Sequence, residues 1–429
     1  MADKVNEEYV EAIQKAAIKR RDMRMIWNSN GWWTNSGYGT FQRDLLFRLV
    51  KDDWPVAQIA FFGVDGFPVY TNAKHADGTW FKNEWEGLDI KTYNKMDHPM
   101  GSDALIAHSN DYKAHAAFTM QDIQLLMPEH LSKLRVWIPY VPIDKDPVPA
   151  GVLNNLQYAY KIITFSKFGQ QTLQKAGFVS TLIVEGTDTD IFVPMDKAQC
   201  RKDYGIPVDA FIFGMVAANK ENPPRKGFQE AMDAFKLFHD KHPESYLFIH
   251  TQQRTPGGFP VEDYARQLGY SKNLLLLNPY QAVFGANSKN IAKEMAMFDV
   301  LLHPSQTEGF GLTVIEAMSC GVPVLVNNTT SMPELIIPGV TGEICETEKK
   351  GRYTSDLSFV YPADTQSLYE AMERIYTRLQ KEPEKVAKDC RQHILDNYDI
   401  NKIFVEKWIP FMEELQEELL PITSPLTTP

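Results

Sequence analysis

Short apolar runs of strand length alternate with amphipathic segments of helix length along almost the whole 429-residue chain. That alternation is the strongest constraint on the fold. A strand, a crossing helix and a second strand join as parallel neighbours, and such sheets are covered by helices on both faces. In the first half, strands are expected at 25–28, 56–62, 104–107, 136–138, 161–165 and 181–184, with helices at 40–50, 112–120 and 168–176. In the second half, strands are expected at 211–216, 246–250, 274–277, 300–303 and 322–326. Helices fit 228–239, 291–297, 312–319, 333–337, 365–379 and 403–420. The turn-rich stretch Glu185-Gly186-Thr187-Asp188-Thr189-Asp190, running on to Pro194, separates the two series. At this length two cores are the natural solution. The expected fold class is therefore α/β, with two facing doubly wound, Rossmann-like domains at 1–190 and 191–399 and a cleft between them. Residues 1–24 read as a helical extension and 421–429 as a disordered tail.

Composition narrows the function classes. An apolar content of 44% and a charged content of 23% suit a globular domain pair, and no apolar run approaches the roughly 20 residues that span a bilayer. The first eight residues lack the basic-then-apolar pattern of a secretory signal. Cys200, Cys320, Cys345 and Cys390 have no metal or redox spacing, so a cytoplasmic protein is expected. A net charge of −11 argues against a broad grip on nucleic acid. The cluster Lys19-Arg20-Arg21-Asp22-Met23-Arg24 reads as a solvated helix end, with peripheral membrane contact as the alternative.

Ligands of doubly wound domains bind beyond the carboxyl ends of the strands, and four such loops carry chemistry. After the first strand come Trp33, Gly37, Tyr38 and Gly39, whose glycines sit just before a helix. After the expected strand at 104–107 come His108 and Asn110. After the strand at 211–216 come Asn219, Arg225, Lys226 and Gly227, a cationic pair able to meet a diphosphate. After the strand at 300–303 come Glu308, Gly309, Phe310, Gly311, Leu312, Thr313 and Glu316. Here a glycine loop opens a helix, with one carboxylate before it and one within it. A helix N-terminus suits a phosphate, and carboxylates accept hydrogen bonds from sugar hydroxyls. Together these loops describe a site for a nucleotide-diphosphate sugar. No Walker loop, GxGxxG fingerprint or Asp-x-Asp motif is present, so neither cofactor nor metal is expected. Further on, Ser331 and Glu334 have the spacing of a capping box.

At these residues the chain resembles the family 4 glycosyltransferases, retaining enzymes of the GT-B architecture. Glu308 and Glu316 match the family's E-x7-E motif with its Gly-Phe-Gly core. Lys226-Gly227 matches its lysine–glycine pair, and 164–177 and 186–194 are similar to its strand–Ser–helix and interdomain segments. The resemblance implies that Glu316 holds ribose and Glu308 the donor hexose. It also implies that Lys226 and the backbone of Gly309 to Leu312 hold the diphosphate, with Gly37 to Gly39 approaching from the other domain. The last long helix, about 400–420, would pack back on the first domain. Two departures stand out: Asn219 occupies the place of a usual arginine, and Pro139 to Asp144 lacks the usual histidine. Arg225, and His108 or Asp144, are the candidate replacements.

The expected activity is retaining transfer of a hexose from a UDP- or GDP-linked donor to a hydroxyl of a saccharide or glycoconjugate. The rivals are a DNA-modifying glycosyltransferase, a nucleotide-sugar epimerase and a non-catalytic carbohydrate-binding protein. A saccharide acceptor fits the aromatic-rich first domain (Trp27, Trp32, Trp33, Tyr38, Phe61, Phe62, Phe67, Trp80, Phe81 and Trp85 among others), and Trp33, Asn110 and Asp144 are possible sugar or acceptor contacts.

Overall fold

A computed structural model describes residues 21–62, 69–70, 90–253, 255–284 and 287–420. The expected tail, the first twenty residues of the expected helical extension, and Phe67, Trp80, Phe81 and Trp85 lie outside the described residues. Two sheets organise the rest. The first contains β1 (Met25–Asn30), β2 (Val56–Phe62), β3 (Val69–Tyr70), β4 (Lys91–Asn94), β5 (Ala116–Thr119), β6 (Trp137–Val141), β7 (Ile163–Thr164) and β8 (Thr181–Leu182). Their spatial order is β3-β4-β2-β1-β5-β6-β7-β8, with β3 antiparallel to β4 and the other pairings parallel. The second contains β9 (Phe211–Val216), β10 (Ser245–His250), β11 (Leu274–Leu276), β12 (Val300–His303), β13 (Val324–Asn327) and β14 (Gly342–Cys345). Their order is β11-β10-β9-β12-β13-β14, all parallel. The protein is thus two Rossmann-like α/β domains.

Each sheet reverses direction at its first strand, and that reversal positions the site. β1 lies between β2 and β5, and β9 between β10 and β12, so the loops leaving β1, β9 and β12 open at topological switch points. The helix leaving β1, Gly37–Lys51, is amphipathic, burying Phe41, Leu45, Leu46 and Leu49 against the sheet. Ser36 caps it by accepting the Gly39 N–H, and Arg48 and Lys51 complement its carboxyl end. β12 is buried on both faces, as the run Val-Leu-Leu demands.

The domains share more than a linker. One continuous apolar cluster runs from Met25, Trp27 and Phe41 to Phe310, Ile315 and Met318. Asp188 of the connecting segment meets Arg48 at 3.1 Å, and Thr187 bridges to Asp399. Beyond Asp399 the chain returns to the first domain through Ile400–Ile403, a π-helical turn at Phe404–Trp408, and Ile409–Leu419. There the Trp408 ring lies 5.9 Å from Trp27 and 5.3 Å from Tyr140. Gln416 accepts the backbone N–H of Asp22 and Met23.

Four expectations are corrected. Residues 104–107 are helical, within Ser102–Tyr112, because Ala104 and Leu105 are buried while Ala107 and Asn110 face outward. A short apolar run fits a buried strand or helix equally well. The expected helix at 112–120 instead contains β5, whose Ala-Ala-Phe run pairs with β1 and β6. Residues 21–24 are not helical, and Arg21 is buried rather than solvated. It bridges Asp52 and Glu413 and lies over the Trp54 ring. Finally, Ser331 caps nothing. Its hydroxyl donates to the Glu308 and Phe310 carbonyls, while the Glu334 carboxylate accepts the Lys167 N–H of the other domain.

Candidate active site

Two helix N-termini face each other across the cleft. Helix Gly37–Lys51 starts at the carboxyl edge of the first sheet and helix Leu312–Ser319 at that of the second. A Cβ on Gly37 would lie 3.7 Å from Leu312 Cδ1, and one on Gly309 only 2.7 Å from Pro142 Cβ. Nothing larger than glycine fits at 309 without moving the domains apart. Gly311, at φ 117°, turns the loop into the helix.

Glu308 is the hub of this loop. Its Oε1 lies 2.5 Å from Lys226 Nζ and 3.2 Å from His303 Nε2, and its Oε2 lies 3.9 Å from Arg225. Burial pushes this carboxyl up, but Lys226, His303 and Arg225 outweigh it and hold Glu308 well below its ordinary 4.5. Burial draws the Lys226 ammonium down despite Glu308. His303, at the end of β12, uses its other ring nitrogen on Thr313 Oγ1 at 3.1 Å. Arg225 also donates to the Thr307 carbonyl at 2.7 Å, and the Thr307 hydroxyl donates to the Asp144 carbonyl across the cleft.

Glu316 is buried one turn into the helix and makes no side-chain hydrogen bond among the described residues. Burial, then Asp44, pushes its carboxyl from the ordinary 4.5 to about 8. Asp144 is raised by burial against the pull of Lys145 and Arg225. Tyr38 reaches Asp122 at 3.4 Å, and burial followed by Asp122, Asp144 and Glu185 raises its phenol well above its usual range.

The structure therefore brings together Gly37, Tyr38, Gly39, Asp144, Arg225, Lys226, Glu308, Gly309, Leu312, Thr313 and Glu316. Four named residues have other employment. His108 lies mid-helix, bonded to the Asn94 carbonyl at 3.0 Å and stacked on Tyr93. Asn110 is exposed on the same helix. Asn219 spends its amide on the loop before helix Val261–Leu268, accepting Phe259 N–H at 2.7 Å and donating to the Phe259 and Gln252 carbonyls. The Phe310 ring is core, 6.0 Å from Tyr398. Trp33 lies edge-on to Trp32 with its ring over Gly31. Gly227, at φ 73°, allows close approach, but to the Pro304 carbonyl rather than to a ligand.

Sequence reasoning missed His303, Asp122, Thr307 and Glu185 as members of this region. His303 had one usable signal, its place at the carboxyl end of a buried strand. Among the described residues no group of three His, Cys, Asp or Glu side chains could hold a metal ion, and no helix is long and apolar enough to cross a membrane.

The fold is similar to sucrose-phosphate synthase from Thermosynechococcus elongatus, with a TM-score of 0.68 at 17% identity over 93% of this chain and 99% of that one. Anabaena HepE, in complex with UDP and glucose, gives 0.63 at 16% over 93% and 99%. In sequence, the N-acetyl-alpha-D-glucosaminyl L-malate synthase of Bacillus anthracis is 29% identical over 37% of this chain and 38% of its own length. The GDP-mannose-dependent alpha-(1-6)-phosphatidylinositol monomannoside mannosyltransferase of Mycolicibacterium smegmatis is 26% identical over 47% and 53%. The chain thus spans about half the length of these curated relatives or less. Residues 196–361, which carry Lys226, Glu308 and Glu316, match the family described as "Glycosyl transferases group 1".

Proposed function

We propose that this protein transfers a hexose from a UDP- or GDP-linked donor to an acceptor hydroxyl, with retention at the anomeric carbon and without a metal ion. The observation that carries the proposal is the Lys226–Glu308–Arg225 cluster at the start of helix Leu312–Ser319, faced by the start of helix Gly37–Lys51. Two helix N-termini and two cations form a preorganised anion site, suited to the charge that builds on a departing diphosphate. A diphosphate entering there competes with Glu308 for Lys226 and frees that carboxylate to accept sugar hydroxyls. Glu316 is placed to receive the ribose. The transition state has oxocarbenium character. The departing diphosphate takes the acceptor proton on the same face, so no protein nucleophile is needed. HepE is titled as a complex with UDP and glucose, and the mycolicibacterial relative is named for GDP-mannose. Both bases therefore belong in the test.

A thermal-shift panel of UDP, GDP and their hexose conjugates tests the donor site, and product analysis with a saccharide panel tests transfer. One nucleotide raises the unfolding midpoint, and Lys226→Ala lowers kcat by roughly 10²–10³, the range for removing one preorganised donor. The reading is wrong if no nucleotide shifts the midpoint, or if Lys226→Ala transfers at the wild-type rate.

A further inference from the structure

Glu185 lies just beyond β8, at the start of the segment joining the two domains. Gly186 next to it is wedged against the chain's return, where an added Cβ would sit 2.8 Å from Ile400 Cα, so the backbone here has little room to move. The Glu185 side chain is 4% exposed and makes no hydrogen bond among the described residues. The groups that act on it are Glu316 of helix Leu312–Ser319 and Glu308 of the loop before it. It acts in turn on Tyr38 at the start of helix Gly37–Lys51 and on Tyr140 of β6. No cation is among these neighbours. A buried carboxyl group without a partner costs stability, so its place opposite Glu308 and Glu316 calls for a ligand.

We propose that Glu185 is a third ligand-facing carboxyl group of this site, contributed by the first domain, and that it hydrogen-bonds as a neutral acid to the bound nucleoside diphosphate. This rests on the donor-site reading above. An ionised carboxylate is a poor neighbour for a diphosphate, being acceptor-only and negative, whereas the neutral acid offers one O–H donor. The surroundings favour the neutral acid: burial, then Glu316 and Glu308, push Glu185 from its ordinary 4.5 to about 8. Glu185 then acts as a pH-dependent gate on donor affinity, separate from the cationic cluster around Lys226.

The test is calorimetric titration of UDP and of GDP into wild type and Glu185→Gln at pH 6.5 and pH 9.0. Gln keeps a donor and cannot ionise. Glu316 also titrates near this range, so the comparison is the ratio of the two dissociation constants at each pH, which isolates Glu185. The ratio of wild type to variant stays near one at pH 6.5 and rises by about tenfold at pH 9.0, as expected for one carboxyl that titrates near 8 and must be neutral in the complex. An equal ratio at both pH values overturns the inference while leaving the donor site intact. Failure of both nucleotides to bind wild type at pH 6.5 overturns the donor-site reading, and the inference with it. Should Glu185→Gln not fold, proton uptake by wild type on binding at pH 8, measured in buffers of different ionisation enthalpy, decides the matter. Net uptake supports the proposal and none refutes it.

Discussion

Replacing Glu316 by Gln should stabilise the free protein while destroying its donor site. The side chain is 8% exposed, makes no hydrogen bond among the described residues, and is moved from 4.5 to about 8 by burial and Asp44. The folded state therefore holds the proton more tightly than the unfolded chain. Below about pH 4.5 the group is neutral in both states and contributes nothing. As pH rises towards 8 the unfolded chain ionises first and stability is lost; above 8 the loss levels off. For this shift the penalty is about 1.5 kcal/mol at pH 5.5 and about 5 kcal/mol at pH 9. Water entering the cleft makes these upper figures. Glu316→Gln removes the penalty at similar shape. Its unfolding midpoint should thus exceed that of wild type more at pH 9 than at pH 5.5, by roughly 6–12 °C for a domain of this size. Scanning calorimetry at the two pH values reads this directly. Added UDP or GDP should raise the wild-type midpoint and leave the variant's unchanged. A midpoint difference that is the same at both pH values would refute the ionisation argument. A variant still stabilised by nucleotide would refute the assignment to ribose.

Gly309→Ala should leave each domain folded but force them apart, since its Cβ would sit 2.7 Å from Pro142 Cβ and 3.0 Å from Pro142 Cα. A displacement of about 1 Å at a reacting centre can cost on the order of 10² in rate; unchanged kcat with an unchanged scattering profile would contradict this. Glu334→Ala should lose about 1 kcal/mol, the usual value of a helix cap, because its carboxylate accepts the Lys167 N–H across the domains. Faster hydrogen exchange confined to the start of helix Lys167–Lys175 is the expected signature, and uniform exchange would disprove the capping role.

How much of this was legible depended on whether the signal was local. The second sheet was readable because β9, β10 and β12 are apolar runs bounded by turns, and the loop from Glu308 to Glu316 carries its own glycines. β4 was hidden by its polar sequence, Lys-Thr-Tyr-Asn, although it pairs fully with β2. The strand assigned at 104–107 carried His108 to a loop that does not exist, so one error of element type produced a wrong site member. Asn219 stood in a suggestive position, yet its amide closes a loop more than 30 residues away in sequence.

Glu334 and Arg21 show the same limit from the other side. Both had plausible local partners, and both are claimed by residues distant in the chain, Lys167 and Glu413. Glu185 had no local signal at all: one acidic residue in a turn-rich segment looks like any solvated linker charge. Only the fold reveals that the linker is pressed between two domains, with its carboxyl group beside Glu308 and Glu316. A stable fold gains nothing from three carboxyl groups in a dry cleft, and by the linkage worked out above two of them cost stability at neutral pH. A polar arrangement that the fold does not need, at the facing ends of two helices, is best explained by what it binds.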